Sequence, residues 1–346
     1  MTHAAAQLDL EVVEAYLAEN LPDFRGPLTA EKFETGQSNP TFKLTGPSGT
    51  YVLRRKPPGE LLKSAHAVDR EFRVQGALAG TDVPVAKMHL LCEDENLIGS
   101  MFYIMEFKPG RNFMDVRLHD LSDDERGAIF DEMNRVLAAL HSVGIEAVGL
   151  ADYGRPGNYF ARQVGRWSKQ YRASETETIS DMDTLIDWLE TNMLDDDGRV
   201  SLVHGDYRID NMIFASEAPR IEALLDWELS TLGHPFSDLA YQCMQWRMPP
   251  GEDGRGLAGV DRRAIGIPTE EDYVALYCER VGITDIPTFD FCLAFSFFRM
   301  AAIVQGVKKR GLDGNASNPE RARKFGQFVP IYARLGLEAA SGQTGG

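Results

Sequence analysis

The chain has 346 residues, more than one hydrophobic core usually serves, so two lobes are expected. With 43% hydrophobic, 10% aromatic and 25% charged residues, it has the composition of a soluble globular protein. Fifty-two acidic against thirty-six basic residues leave a formal charge of -16, which argues against a nucleic-acid or anionic-membrane surface as the main partner. A nucleotide held by a few local donors and a metal ion stays compatible with that charge.

Cys92, Cys243, Cys278 and Cys292 are scattered without a Cys-x-x-Cys pair, so neither a zinc knuckle nor a disulfide framework is indicated. Met1 to Leu10 lacks a basic segment followed by an apolar core, and no later stretch reaches about 18 uninterrupted apolar residues. The expectation is a cytoplasmic protein with no membrane insertion.

In chain order, a leading helix is predicted over Leu8 to Asn20, with Leu10, Val13 and Leu17 apolar. Lys32 to Glu34, Thr41 to Thr45 and Tyr51 to Arg55 read as an antiparallel meander, the last two strands joined by Gly46-Pro47-Ser48-Gly49. Val68, Phe72, Val74 and Leu78 predict a helix over Ala67 to Leu78, and strands over Ala86 to Cys92 and Met101 to Phe107 flank the acidic turn Glu93 to Asn96. The first hundred residues thus form a small antiparallel β lobe with one key helix.

From Ser122 onward helices dominate: Asp123 to Val143, Tyr159 to Ser174, Asp181 to Leu194, Glu270 to Val281, Phe289 to Arg310 and Asn318 to Leu337. A β island interrupts them at Leu202 to Asp206, Met212 to Ala215 and Ile221 to Leu225. The phenylalanines Phe289, Phe291, Phe295, Phe297 and Phe298 have the spacing of a buried helix. The expected division is an N-terminal nucleotide-binding lobe (1–107), a C-terminal lobe with the catalytic loop and a helical substrate-binding region (108–340), and a Gly-rich tail (341–346).

The β island carries the chemistry. Phosphoryl transfer needs a carboxylate to orient the attacking hydroxyl and oxygen ligands to hold Mg²⁺ on the phosphates. Asp206 precedes Asn211 by five residues, and Asp226 follows fifteen residues later at the end of a hairpin that returns beside Asn211. Asp206 is the expected catalytic base, and Asn211 and Asp226 the expected Mg²⁺ ligands. His204 is expected to brace the loop, Asp210 to make a structural hydrogen bond, and His141 to be a satisfied helix-end side chain. No His-x-x-x-His or His-x-His pair suggests a zinc hydrolase.

His204-Gly205-Asp206 through Asn211, followed by Asp226-Trp227-Glu228, resembles the aminoglycoside phosphotransferase family over roughly Leu28 to Leu337. The resemblance implies an α+β, bilobal protein-kinase-like fold with a larger, mainly helical C-lobe. It further implies ATP or GTP as co-substrate and a small-molecule hydroxyl as acceptor. Protein kinases carry His-Arg-Asp and Asp-Phe-Gly at these places, so a protein kinase is disfavoured.

Within that resemblance Gly36, Ser38 and Asn39 belong to the loop over the phosphates, Arg54 stands where a strand lysine is usual, and Glu71 is its helix partner. Arginine keeps the charge but not lysine's geometry. Met105 and Phe107 resemble the hinge residues that bracket the purine.

Arg54-Arg55-Lys56-Pro57-Pro58-Gly59, Ala65 to Glu71 and Gly157 to Arg162 are similar to the kinase-like segment fused to acyl-CoA dehydrogenases in some eukaryotic proteins. That subgroup implies a hydroxyacyl-CoA acceptor. Arg162, Arg166 and Lys169, on one helix face, form an expected strip for its phosphates. The alternatives are an aminoglycoside or other amino-alcohol kinase, and a nucleotide-binding pseudokinase acting as an interaction module.

Overall fold

The computed structural model describes residues 8–33, 39–57, 67–251, 255–315 and 318–343. Gly36 and Ser38 lie outside the described residues. In chain order the elements are α1 (Leu10–Asn20), β1 (Thr29–Lys32), β2 (Thr41–Gly46), β3 (Gly49–Arg55), α2 (Val68–Leu78), β4 (Met88–Cys92), α3 (Glu95–Ile98) and β5 (Phe102–Glu106). There follow α4 (Asp123–His141), α5 (Tyr159–Ser174), α6 (Ser180–Thr191), β6 (Ser201–Val203), β7 (Met212–Phe214), β8 (Ile221–Leu224) and β9 (Thr231–Gly233). The chain closes with α7 (Phe236–Arg247), α8 (Glu270–Val281), α9 (Phe289–Leu312), α10 (Pro319–Gly326) and α11 (Val329–Ala340).

These elements form two compact units: the first holds 1–112, 146–150 and 211–230, and the second holds 113–145, 151–210 and 231–346. Where the sequence suggested one boundary after Phe107, the units interleave along the chain. The β7–β8 hairpin belongs to the first unit because Arg111 and Phe214 exchange backbone hydrogen bonds (2.7 and 2.8 Å) and Leu224 N–H donates to Pro84 O.

In the first unit an antiparallel sheet runs β1-β2-β3-β5-β4. Gly46 pairs with Gly49, leaving Pro47 and Ser48 as the turn. Asp9 caps α1 by accepting from Val12 N–H, and the helix buries Val13 and Leu17 with Leu44, Leu53, Phe102 and Ile104. Each such side chain contributes roughly 1.5–3 kcal/mol. Val52, Val68, Ala86, Tyr103 and Met105 form a second buried cluster that includes the start of α2. Strand β1 lies three residues before its expected start. All four of its residues are exposed, so it carries no alternation for a pattern to reveal, and pairing with β2 alone defines it.

In the second unit α4 begins at a capping box formed by Ser122 and Glu125. Helix α9 is long and apolar enough to cross a membrane by composition, yet 78% of that stretch is buried, and it packs against α5, α6, α7, α10 and α11. Helix α7 was not predicted: all twelve of its residues are buried, which erases the amphipathic period. The single helix expected over Asn318 to Leu337 is two helices. Pro330 cannot continue a helix from α10, but it fits the first turn of α11.

Candidate active site

In the first unit Arg54 projects from β3 toward α2. Its Nε lies 2.8 Å from Glu71 Oε2, and its Nη2 donates to Asp226 Oδ1 at 2.8 Å. The Nε contact is off-line for a hydrogen bond and acts as an ion pair. Glu71 is buried and also accepts from Asn39 Nδ2 at 2.9 Å and Tyr103 Oη at 3.1 Å. Burial holds its carboxyl above the ordinary value, while the Arg54 charge and the Tyr103 hydroxyl act in the opposite direction. For Arg54, burial works against the charge, but Glu71, Tyr103 and Asp226 outweigh it and hold the guanidinium above its ordinary value. Arg55, on the opposite face of β3, packs over the Phe42 ring.

Asp226 stands in the left-handed region (φ 62, ψ 64), which costs an L-residue about 1–2 kcal/mol. The following turn, Trp227–Leu229, packs on α2, and Arg70 Nη2 donates to Ser230 O. Leu225 N–H donates to Asn211 O at 2.8 Å, so the hairpin end sets Asn211 beside the residue that precedes Asp226. The oxygen donors of Asn211 and Asp226 suit Mg²⁺, which takes few protein carboxylates. Asn39, expected over the phosphates, donates from its side chain to Glu71. Met105 packs with Val52 and Tyr103, Phe107 packs against that cluster, and Lys43 Nζ lies 4.9 Å from the centre of the Phe107 ring.

The second unit holds Asp206. Strand β6 stops at Val203, not at Asp206 as expected, because Asp238 takes the next two amides: His204 N–H donates to Oδ2 at 2.6 Å and Gly205 N–H to Oδ1 at 2.9 Å. Gly205 has φ 83, which glycine adopts without a Cβ clash. Burial alone would raise the Asp238 carboxyl; the His141 imidazole, with Nε2 3.5 Å from Oδ2, together with His204 and the Gly205 amide, outweighs it and holds the group below its ordinary value. His141 ends α4, with Nδ1 2.7 Å from Tyr277 Oη. His204 Nδ1 accepts from Asp206 N–H at 3.3 Å.

The Asp206 carboxylate is itself held. Tyr241 Oη donates to Oδ1 at 2.6 Å, and the Arg208 guanidinium faces both oxygens, with Nε 3.0 Å from Oδ1 and Nη2 3.3 Å from Oδ2. Burial and the adjacent Asp206 push the Tyr241 hydroxyl well above its ordinary range, so it remains a donor at working pH. Asp210 pairs with Arg208 and Arg255. On α5, Arg162 donates to Arg155 O and Pro156 O, tying itself to the preceding loop. Arg166 lies against the Trp167 ring, and both Arg166 and Lys169 are exposed without an ion-pair partner among the described residues.

Sequence reasoning missed Asp238, Tyr241, Arg208 and Arg299, the last of which donates from Nη2 to Gly205 O at 2.7 Å. The available signal was Asp238-x-x-Tyr241, one face of a helix turn, inside a helix whose uniform burial hid it.

The five-stranded sheet with α2, together with a mainly helical second unit, is an α+β protein-kinase-like fold, and a strand cation paired with a helix glutamate is a feature of phosphoryl-transfer enzymes. The chain belongs to the phosphotransferase enzyme family APH, whose sequence profile matches residues 29–272. A crystal structure from Ralstonia eutropha, provisionally named an aminoglycoside phosphotransferase, is 52% identical with a TM-score of 0.89, covering 97% of this chain and 99% of that one. The aminoglycoside phosphotransferase APH(4)-Ia, solved with AMP-PNP and hygromycin B, shares the fold at 15% identity, with a TM-score of 0.64 and coverage of 95% and 99%. Mouse acyl-CoA dehydrogenase family member 10 is 46% identical over 317 residues, 91% of this chain and 30% of that protein. This chain therefore spans under a third of that relative's length.

Proposed function

We propose that this chain is a Mg²⁺-dependent kinase that transfers the γ-phosphoryl group of ATP, or of GTP, to the hydroxyl of a hydroxyacyl-CoA. The observation that carries the kinase reading is the held carboxylate of Asp206, fixed by Tyr241 and Arg208 in a loop pinned to Asp238. Asp206 orients the acceptor hydroxyl and takes its proton as the O–P bond forms. Asn211 and Asp226 would hold Mg²⁺, which when bound neutralises charge on the phosphate oxygens. Arg54 orders the phosphates while Glu71 orders Arg54.

The acyl-CoA reading draws on the relative's name and on the strip at Arg162, Arg166 and Lys169, whose two exposed cations have no ion-pair partner among the described residues. The formal charge of -16, together with the name given to the Ralstonia structure, favours an aminoglycoside as the second reading. A coupled nucleotide-consumption screen over hydroxyacyl-CoAs, aminoglycosides, amino alcohols and sugars decides between them. Asp206→Asn is expected to abolish turnover and leave Mg-nucleotide binding nearly intact. Near-normal turnover in that variant would overturn the assignment.

A further inference from the structure

The peptide that leads into Asp206 is held from two directions. Gly205 N–H donates to Asp238, and Gly205 O accepts from Arg299 Nη2. Arg299 arrives from α9, ninety-four residues downstream. Its guanidinium lies 5.6 Å from the centre of the Tyr241 ring and 5.8 Å from that of Trp167, and the residue is only 6% exposed. Among the described residues it has no carboxylate partner, and its Nε has no hydrogen-bond partner.

A buried cation without an anion is unfavourable by several kcal/mol. Two aromatic faces return about 0.5–2 kcal/mol each. A neutral donor would satisfy the Gly205 carbonyl at lower cost, so the charge requires a further reason. Tyr241 supplies it: the ring that meets Arg299 carries the hydroxyl that donates to Asp206 Oδ1. A guanidinium against that ring restrains its rotation and draws electron density from the phenol, strengthening the O–H as a donor.

We propose that Arg299 is a positioning residue for phosphoryl transfer, fixing the Asp206 carboxylate in its working orientation through the Gly205 carbonyl on one side and the Tyr241 phenol on the other. This rests on Asp206 being the base. Trp167 completes the arrangement by closing the second ring wall around the same guanidinium.

The test measures ADP release from Mg-ATP with a hydroxyacyl-CoA or water, whichever the wild-type protein uses, alongside Mg-ATP affinity and thermal midpoint. Arg299→Met should lower kcat about 100-fold, the cost of a misplaced catalytic group, with Mg-ATP affinity unchanged within about twofold. Arg299→Lys should recover part of that loss, and millimolar guanidine should restore turnover to Arg299→Ala. If Arg299→Met turns over normally while Asp206→Asn does not, Arg299 has no positioning role. If Arg299→Met and Arg299→Ala both lose Mg-ATP binding and stability together, without guanidine rescue, Arg299 is a brace of the fold alone and the proposal fails. If Asp206→Asn retains turnover, the reading of the base fails first.

Discussion

Arg54 Nη2 donates to Asp226 Oδ1 at 2.8 Å while its Nε stays 2.8 Å from Glu71, so one guanidinium bridges a helix carboxylate and an expected metal ligand. A lysine ammonium is a single point charge and lacks the two-armed reach of this fork. The residue that departs from the usual lysine is therefore the one that ties α2 to the β7–β8 hairpin end.

Arg54→Met should leave Glu71 buried without its cation and destabilise the protein by about 3–5 kcal/mol in urea unfolding. Arg54→Lys should be milder, within about 1–2 kcal/mol, because one partner remains in reach. Equal losses for the two variants would show that the bridge contributes nothing that a point charge cannot.

Tyr241→Phe removes only the hydroxyl that donates to Asp206. A kcat loss of about tenfold, with KM for Mg-ATP little changed, is the expected steady-state result. Because the wild-type hydroxyl is pushed well above its ordinary value of 10.0, turnover below that pH should show no alkaline limb from this group.

Asp238 binds two loop amides as a buried carboxylate, and its folded value lies below the ordinary 3.8. Its contribution is thus fully present above about 3.8 and is lost as pH falls through the lower folded value. Asp238→Asn should lower unfolding free energy by about 2–4 kcal/mol at neutral pH, and the gap from wild type should narrow at strongly acidic pH. A gap independent of pH would remove charge from the explanation.

Arg166→Glu reverses an exposed cation on α5 that has no ion-pair partner among the described residues. KM for a CoA-bearing acceptor should rise about tenfold, the scale of one charge-assisted hydrogen bond, while an aminoglycoside acceptor should be unaffected. An unchanged KM with the CoA acceptor takes this position out of substrate recognition.

Legibility in the sequence followed the range of the interactions. Strands β2 and β3 were readable because alternation and a Gly-bounded turn are local signals. The motif from His204 to Asn211 was readable because its residue types and spacing are contiguous. Helix α7 and strand β9 were not. The first is buried on every side, and the second is three residues that count as a strand only because β6 pairs with them.

By itself the amino-acid sequence determined the α+β class and the order of most elements, which depend on periodicity, and it offered Asp206, Asn211 and Asp226 as candidates through residue type and short spacing. Tertiary structure alone decided what holds Asp206. Asp238, Tyr241 and Arg299 reach its loop from 34 to 94 residues away, through contacts that packing creates and no local pattern encodes. The same is true of Arg54 and Asp226, 172 residues apart, where folding turns two separate motifs into one ion-paired cluster.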